Sequence, residues 1–330
     1  MIQKPFLVFL LLFVFLSGNA VENEVQVEIR EWLVPWSDTE PRSPAVDKKG
    51  RIWFCGRTGH YLAYFNPESG KFKKFELDDK SMPQSLIINK KGQIWFSDPG
   101  RGYIGRLLLK SGKVEKYPMP ENSGIDPYTL VFNDEGDIWF TAIGANAIGK
   151  LDTASGEVKY SSLETEAAKP LDIKLDSGER PWVSLSATNR LATIDTETFE
   201  VTEYEMSNQD IRPGRIAITS YNKIWFVDTL TGKLGRFNPK RNIYSQRTVP
   251  GGESAIPSAI IVDENDWLWF VETGLNPNRL VSYNPWDKEF TYISDIPSGG
   301  DRIDEMFFDK ESGQIWFGSN TNFIGRAKLP

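Results

Sequence analysis

The chain has 330 residues, of which 40% are hydrophobic and 25% are charged, a composition typical of a folded globular protein. Its 45 acidic and 38 basic residues give a net charge of −7, which argues against a nucleic acid or an anionic membrane as partner. The single cysteine, Cys55, excludes an internal disulfide, so burial of a hydrophobic core must stabilise the fold.

The first twenty residues have the features of a signal peptide. Lys4 supplies a positive charge, residues 6–16 form an apolar run, and residues 18–20 (Gly-Asn-Ala) suit a signal peptidase. An apolar run of this length is too short to cross a bilayer. We therefore expect cleavage near Ala20, no membrane span, a periplasmic or secreted location, and a single domain over residues 21–330.

A repeated tripeptide dominates the rest of the chain. Ile-Trp-Phe occurs five times, and two degenerate copies, Pro-Trp-Val and Leu-Trp-Phe, fill the gaps between them. The seven tryptophans are spaced 42 to 47 residues apart, at Trp53, Trp95, Trp139, Trp182, Trp225, Trp269 and Trp316. A repeat of this length is typical of a β-propeller blade.

Each repeat unit predicts four short strands. In the third unit they cover residues 127–132, 138–140, 148–151 and 157–161, and polar or glycine-containing turns separate them. No segment after residue 20 shows a sustained helical period. We therefore predict an all-β, seven-bladed propeller made of four-stranded antiparallel blades.

The two ends of the mature chain predict how the ring closes. Residues 25–35 are similar to the fourth strand of a unit, and residues 323–329 are similar to the third strand. The N-terminal strand is therefore expected to complete the last blade and to cover its open edge. The repeated Trp and Phe side chains are expected to pack between neighbouring blades.

Candidate functional positions lie where the repeat varies. Each first strand begins, and each second strand ends, at the same rim, so residues around these points are expected near one mouth of the central channel. They vary among acidic, basic, aromatic and small residues. The candidate ligand-binding residues are Glu40, Arg42, Asp98, Asp126, Tyr128, Arg212, Arg215, Ser258 and Asp304. A solvated rim of mixed charge is the alternative interpretation.

The carboxylates at this rim suggest a hard cation. Asp228 and Glu272 each end a second strand, and carboxylate oxygens are ligands that Mg²⁺ and Ca²⁺ prefer. These two residues are the metal-ligand candidates. Arg42, Arg212 and Arg302 could instead neutralise the carboxylates around them.

The only histidine and the only cysteine have structural interpretations. His60 occupies a column that otherwise holds Gly or Asn, which are typical of turn residues with positive φ. Cys55 occupies a column of small or β-branched residues near the end of the second strand, which indicates burial. The sequence contains no phosphate-binding glycine loop, nucleophile elbow or zinc-type spacing.

The repeat resembles that of the streptogramin B lyase (virginiamycin B lyase) family. The resemblance rests on residues 134–141 (DEGDIWFT) and 145–151 (ANAIGKL), and on the Ile-Gly-Arg tripeptides at 104–106 and 324–326. It covers essentially the whole mature chain and implies a seven-bladed propeller. Lyases of this family open the ester of a cyclic depsipeptide antibiotic by elimination, with Mg²⁺ and an active-site histidine.

The positions to which the resemblance assigns the catalytic residues hold other residue types in this chain. The two histidine positions correspond to Ser258 and Asp304, and the two glutamate positions correspond to Arg302 and Ser319. Elimination needs a group that accepts a proton, and the family's histidines are missing here.

We therefore expect an exported, monomeric propeller that binds a small ligand, a divalent metal or a periplasmic protein at one mouth of the channel. The alternative is a metal-dependent carbon–oxygen lyase or a lactonase-type hydrolase that acts on a cyclic ester with Mg²⁺ or Ca²⁺. A purely structural interaction module is a third interpretation.

Overall fold

The computed structural model describes residues 25–330, which form seven four-stranded antiparallel sheets arranged as the blades of a propeller. The predicted signal peptide, residues 1–20, lies outside the described residues. In residues 25–330 no helix is long and apolar enough to cross a membrane. The predicted seven-bladed architecture is confirmed.

The strands follow the repeat in chain order. They are β1 (Glu28–Leu33); blade 1, β2 (Pro41–Val46), β3 (Ile52–Gly56), β4 (Tyr61–Asn66) and β5 (Lys71–Glu76); blade 2, β6 (Leu86–Ile88), β7 (Ile94–Asp98), β8 (Tyr103–Leu108) and β9 (Lys113–Pro118); blade 3, β10 (Pro127–Phe132), β11 (Ile138–Ala142), β12 (Ala147–Leu151) and β13 (Val158–Ser162); blade 4, β14 (Pro170–Leu175), β15 (Pro181–Leu185), β16 (Arg190–Ile194) and β17 (Val201–Glu205); blade 5, β18 (Pro213–Ile218), β19 (Ile224–Asp228), β20 (Lys233–Asn238) and β21 (Ile243–Thr248); blade 6, β22 (Pro257–Val262), β23 (Leu268–Glu272), β24 (Arg279–Asn284) and β25 (Glu289–Asp295); and blade 7, β26 (Met306–Asp309), β27 (Gln314–Ser319) and β28 (Phe323–Lys328). Two 3-10 helices, Pro99–Arg101 and Gly252–Ala255, lie in connections.

The N-terminal strand closes the ring. β1 pairs antiparallel with β28, so the last blade is built from both ends of the described chain, as predicted. The Trp32 ring lies 4.9 Å from the ring of Phe65 in blade 1 and 5.8 Å from that of Trp316 in blade 7. This strand therefore covers the open edge of blade 7 and also links that blade to blade 1.

In four of the seven blades, the Phe of the second strand lies opposite a glycine of the third strand, namely Gly105, Gly149, Gly235 and Gly325. Blades 1, 4 and 6 have Ala63, Ala192 and Val281 at this position. In blade 3, Phe140 lies opposite Gly149 in the antiparallel register. A Cβ atom added to Gly149 would lie 2.2 Å from the Phe140 ring. The glycine is therefore needed because the aromatic ring of the neighbouring strand covers its backbone.

The tryptophan rings fill the space between neighbouring blades. Trp95 of blade 2 belongs to the same core cluster as Ile138 and Phe140 of blade 3, and Trp139 of blade 3 packs with Val183 of blade 4. These side chains are almost completely buried. The repeated aromatic residues are therefore core residues, as predicted, and blade-to-blade burial is the main apolar contact of the fold.

An aspartate at the first turn of a blade accepts a hydrogen bond from the buried tryptophan. The indole Nε1 donates to Asp47 Oδ2 in blade 1 at 2.8 Å, to Asp176 in blade 4 at 3.1 Å and to Asp263 in blade 6 at 2.8 Å. Blade 2 has Asn89 at this position, and Trp95 Nε1 has no hydrogen-bond partner in the described part of the chain. An amide has only one acceptor oxygen, so Asn89 lacks the second oxygen with which the aspartates accept from the indole N–H.

Reciprocal substitutions test this bond. Asp263→Asn keeps the oxygen that accepts from the backbone N–H groups of Asn265 and Trp267, but sets an NH₂ group against Trp269 Nε1. We expect a loss of about 1–3 kcal/mol in the free energy of unfolding, measured by urea denaturation.

Asn89→Asp is the matched partner variant. It supplies the missing acceptor to Trp95, so its stability should equal or exceed that of the wild type. Loss of stability in Asn89→Asp, or none in Asp263→Asn, would contradict this account of the tryptophan.

Candidate functional site

The first strands of the blades line the central channel. Each repeat unit begins with a proline, or with Ile303 in the seventh unit. The residue two positions later is polar in every unit except the sixth, and we call these seven positions the channel column: Ser43, Ser85, Thr129, Asp172, Arg215, Ala259 and Glu305. Six of these seven residues, all except Ala259, line a channel cavity of about 120 Å³. Only Arg215 of this column was among the sequence-based candidates.

A register irregularity in each of five first strands explains why this column was missed. In blade 3 the pairing of β10 with β11 shifts between Pro127 and Leu130, and equivalent shifts occur in blades 1, 4, 5 and 6. A β-bulge re-aims side chains, so simple alternation along a strand does not identify the residues that face the channel. The sequence feature that could have identified these channel-lining residues is the variation of this column between acidic, basic and hydroxyl residues.

Part of the column holds the blades together. Ser43 Oγ accepts a hydrogen bond from the backbone N–H of Leu86 in the next blade at 2.9 Å, and Ser85 Oγ accepts from Leu130 at 3.2 Å. Asp172 Oδ2 accepts from the backbone N–H of Ile216 at 2.9 Å. These bonds bridge consecutive blades around the channel, so this part of the lining has a structural role.

Arg215 is the central cation of the channel. Its guanidinium donates to Glu305 at 2.7 Å and to the Thr129 hydroxyl at 3.0 Å, and Asp172 lies 3.5 Å away. Burial works to lower the pKa of Arg215, but the nearby carboxylates, Glu305 and Asp172 foremost, outweigh burial and raise it. Arg215 is therefore a permanently charged, buried partner of two carboxylates.

A second cluster joins blade 1 to blade 7 at the mouth. Arg42 donates to Gln84 Oε1 at 2.9 Å and to Asp304 Oδ2 at 3.2 Å, and Glu40 lies 3.8 Å away. Arg302 donates to the other oxygen of Asp304 at 2.7 Å. Three of the sequence-based candidates, Glu40, Arg42 and Asp304, are thus brought together.

Arginines control the ionisation of Asp304. Burial by itself would raise the pKa of this carboxyl, but Arg215, Arg42 and Arg302 outweigh burial and lower its pKa below the ordinary value. The neighbouring carboxylate in turn raises the pKa of Arg302. Asp304 is therefore ionised at neutral pH and is a weak proton acceptor.

Two buried donors in the mouth cluster have no acceptor. Arg42 Nε and Gln84 Nε2 are both inaccessible, and neither has a hydrogen-bond partner among the described residues. Leaving a buried donor unpaired costs about 1–3 kcal/mol, so native proteins rarely retain one without a reason. The mouth cluster therefore holds two donors that can bond to an acceptor only after its side chains move to admit one.

Other candidate residues bond within their own rim loops. Asp126 accepts from the backbone N–H groups of Gly144 and Ala145, which form the turn between β11 and β12. Asp98 is fully buried and accepts from the Ser81 hydroxyl.

The hydrogen bonds of the remaining candidates also involve backbone groups, and in Tyr128 this group is the residue's own carbonyl. Arg212 donates to the carbonyl oxygens of Gln209 and Ile211, each at 2.6 Å. Ser258 donates to the carbonyl oxygen of Ile303 at 2.7 Å, and the Tyr128 carbonyl accepts from Ser97 at 2.6 Å.

The metal-ligand candidates are separate from each other. Asp228 Oδ2 accepts from the Thr231 hydroxyl at 2.6 Å and from Gln246 at 3.2 Å. Glu272 accepts from Gly251 N at 2.7 Å and forms an ion pair with Arg279. Within residues 25–330 no three His, Cys, Asp or Glu side chains come together as a metal-binding group.

The positions to which the family resemblance assigns catalytic groups also do not suit Mg²⁺. Among these positions the only carboxylate is Asp304, which accepts a hydrogen bond from the guanidinium of Arg302, and the other two hold hydroxyl side chains, Ser258 and Ser319. A hard dication prefers several oxygen ligands and is repelled by a guanidinium at the same carboxylate. The residues present therefore do not fit the metal of the family.

His60 and Cys55 have the environments that the repeat predicts. His60 has a φ of 57°, the left-handed conformation of its column, and its ring Nδ1 contacts the Ser81 carbonyl oxygen. Cys55 is completely buried, and burial raises the pKa of its thiol well above the ordinary value. A thiol of this kind is not a nucleophile at neutral pH.

Comparisons with known proteins agree with the fold. A sequence profile of the virginiamycin B lyase family matches residues 27–327. The structure of virginiamycin B lyase from Staphylococcus aureus is 25% identical with a TM-score of 0.82, and the match covers 92% of this chain and 100% of that chain. No curated protein matches the chain.

Two further solved structures are equally similar. A streptogramin B lyase is 27% identical with a TM-score of 0.82, over 92% of this chain and 98% of that chain. A catalytically inactive variant of the Staphylococcus aureus virginiamycin B lyase, solved with quinupristin, is 25% identical with a TM-score of 0.82, over 92% of this chain and 100% of that chain.

The lowered pKa of Asp304 predicts a pH-dependent contribution to stability. The contribution is complete above the unfolded carboxyl pKa of about 3.9 and is lost as the pH falls through the lower folded value. Asp304→Asn should therefore lower the free energy of unfolding by about 2 kcal/mol at pH 7, and the difference from wild type should shrink at pH 3.

Asp134→Asn is the control for this measurement. Asp134 pairs with Lys90 at 2.7 Å, but both side chains are at least 75% exposed, so its loss should change stability little at either pH. A wild-type advantage over Asp304→Asn that persists unchanged at pH 3 would contradict the assigned ion pairs.

Proposed function

Since this chain belongs to the virginiamycin B lyase family, we propose that its propeller binds a small ligand at the mouth of the central channel. The observation that carries the proposal is the pair of buried, unpaired donors, Arg42 Nε and Gln84 Nε2. They lie in the cluster that joins blade 1 to blade 7 through Asp304.

The donors define the chemistry of the ligand. An arginine and an amide NH₂ bind carbonyl or carboxylate oxygens, and a bound acceptor would remove the cost of leaving these groups unpaired. Because both donors are inaccessible, binding would require the bond from Arg42 to Asp304, at 3.2 Å, to be exchanged for a bond to the ligand. A compact molecule rich in carbonyl or carboxylate groups fits this description.

Binding is favoured over elimination because the mouth has no suitable base. Of the two positions that the resemblance assigns to histidine, Ser258 donates to a backbone carbonyl and Asp304 has a lowered pKa. A general base works best with a pKa near the operating pH. The protein therefore holds ligand without opening it.

Quinupristin is a suitable probe because an inactive virginiamycin B lyase was solved with it. We expect the wild-type protein to bind quinupristin, measured by calorimetry, and mass spectrometry to find the compound intact after incubation. Arg42→Met keeps the aliphatic stem but removes the donors, so it should weaken binding by at least about tenfold.

The matched control is Arg30→Met, which removes one arginine from an exposed ion pair with Glu28 on β1. Its affinity should equal that of the wild type. Equal affinity in Arg42→Met, or no binding by the wild type, would contradict the proposed site, and a linearised product would show an active lyase.

The second candidate is a metal-dependent carbon–oxygen lyase or lactonase-type hydrolase. Membership of the family is the observation in its favour. It requires Mg²⁺ or Ca²⁺. Asp228 and Glu272 are the ligands predicted from sequence, and to bind a cation they would have to exchange their present partners, Thr231 and Arg279. Elemental analysis of the purified protein tests it: a bound cation that Asp228→Ala and Glu272→Ala remove would favour the enzyme over the binding protein.

Export is also part of the proposal. The signal-peptide features of residues 1–20 support a mature protein in the periplasm or outside the cell, and there the ligand would be a small molecule or a surface group of another exported protein. Mature protein recovered from that compartment should begin near Val21; an uncleaved N-terminus would contradict export by this route.

A further inference from the structure

A group of basic and aromatic side chains lies on the rim opposite the channel mouth. We call it the basic-aromatic patch and define it by Tyr221, Lys223, Arg236, Lys240, Arg241 and Trp286. Arg236 lies in β20, near its end, and the other five residues lie on turns that join first to second strands or third to fourth strands. The mouth lies at the other ends of these strands. The patch is therefore independent of the proposed ligand site.

Two turns of blade 5 bring the cations together. Ile224 pairs with Phe237, so Lys223, just before β19, lies beside the end of β20 and the turn that carries Lys240 and Arg241. The Arg236 guanidinium lies 5.7 Å from the centre of the Trp225 ring in the same sheet. Four positive charges thus share one end of a single blade.

These four cations have no acidic partner. None of them forms an ion pair within residues 25–330, although the chain as a whole carries a net charge of −7. Two acids on the same rim, Asp266 and Asp287, instead accept hydrogen bonds from Ser220 and Asn284.

Lys223 responds to this local excess of positive charge. Burial lowers its pKa first, and the charges of Lys240, Arg236 and Arg241 lower it further. An anion bound here would relieve the mutual repulsion of the cations.

An exposed tryptophan adjoins the cations. Trp286, in the turn between β24 and β25, is 63% exposed, whereas the seven tryptophans of the repeat are at most 3% exposed. Its ring centre lies 5.1 Å from that of Tyr221, which fixes it beside blade 5. A large aromatic side chain left exposed next to unpaired cations is typical of a binding surface.

We propose that the basic-aromatic patch binds an anionic carbohydrate, with a uronic acid polymer as the simplest example. The exposed face of Trp286 provides a flat apolar surface for the C–H face of a sugar ring, and Lys240 and Arg241 bind the carboxylates. An acidic peptide would use the cations but would have no need of the indole ring. The aromatic surface therefore favours a sugar as partner.

Binding to polygalacturonate tests the proposal, with neutral dextran and polyglutamate as comparison polymers. The wild-type protein should bind polygalacturonate, more weakly as salt increases, and should bind neither comparison polymer with similar affinity. Trp286→Ala should weaken binding by at least about tenfold, and the double variant Lys240→Glu with Arg241→Glu should do the same.

The matched control is Lys110→Glu with Lys113→Glu. Both lysines are exposed around the equivalent turn of blade 2, and this double variant changes the net charge by the same amount. It should bind polygalacturonate nearly as well as the wild type, and all variants should unfold at similar temperatures. Equal losses in this control would show a net-charge effect and overturn the assigned site.

Two other results would also overturn the proposal. Unchanged affinity in Trp286→Ala would remove the role of the aromatic surface, and tighter binding of polyglutamate would identify an acidic protein as the partner instead. Failure to bind polygalacturonate leaves the quinupristin result at the opposite rim unaffected, so the two proposals can fail separately.

Discussion

Closure of the ring by β1 is the constraint on which the rest of this structure depends. Each blade has aromatic side chains that must be covered by the next blade, and only a closed circle gives every blade two neighbours. β1 pairs with β28, and Trp32 packs between Phe65 and Trp316, so the first and last blades are joined by side chains as well as by the strand. The channel exists because this circle is complete.

Closure also decides which charged groups meet. Arg42 and Asp304 are 262 residues apart, yet they bond because blade 1 lies next to blade 7. Arg215 of blade 5 reaches Glu305 of blade 7 although blade 6 lies between these blades in the chain. Buried ion pairs of this kind add little net stability compared with apolar packing, but removal of one partner is costly because the other charge stays buried. They therefore specify how the blades meet around the channel more than they stabilise the ring.

The scaffold and the chemistry of the family have separate physical origins. The scaffold needs the buried Trp column, which all seven blades have, and four blades also have a glycine beneath the Phe ring, with Phe140 packed over Gly149 as one example. The chemistry would need a base at the mouth, where this chain has Ser258 and an ionised Asp304 held by arginines. A fold shared with lyases is compatible with a binding function because the site, not the fold, decides the reaction.

The sequence by itself determined the seven blades, the strand order, the closure by residues 25–35, the turn conformation of His60 and the burial of Cys55. These features are repeated or local, so comparing columns between units is enough to identify them. The tertiary structure alone decided which rim residues come together. It turned Asp126 toward backbone N–H groups, placed Asp172 and Glu305 beside Arg215, and left Arg42 Nε without an acceptor. Bulges in the first strands and contacts between distant blades determine where these side chains point. Neither feature can be recognised from the spacing of residues along the chain.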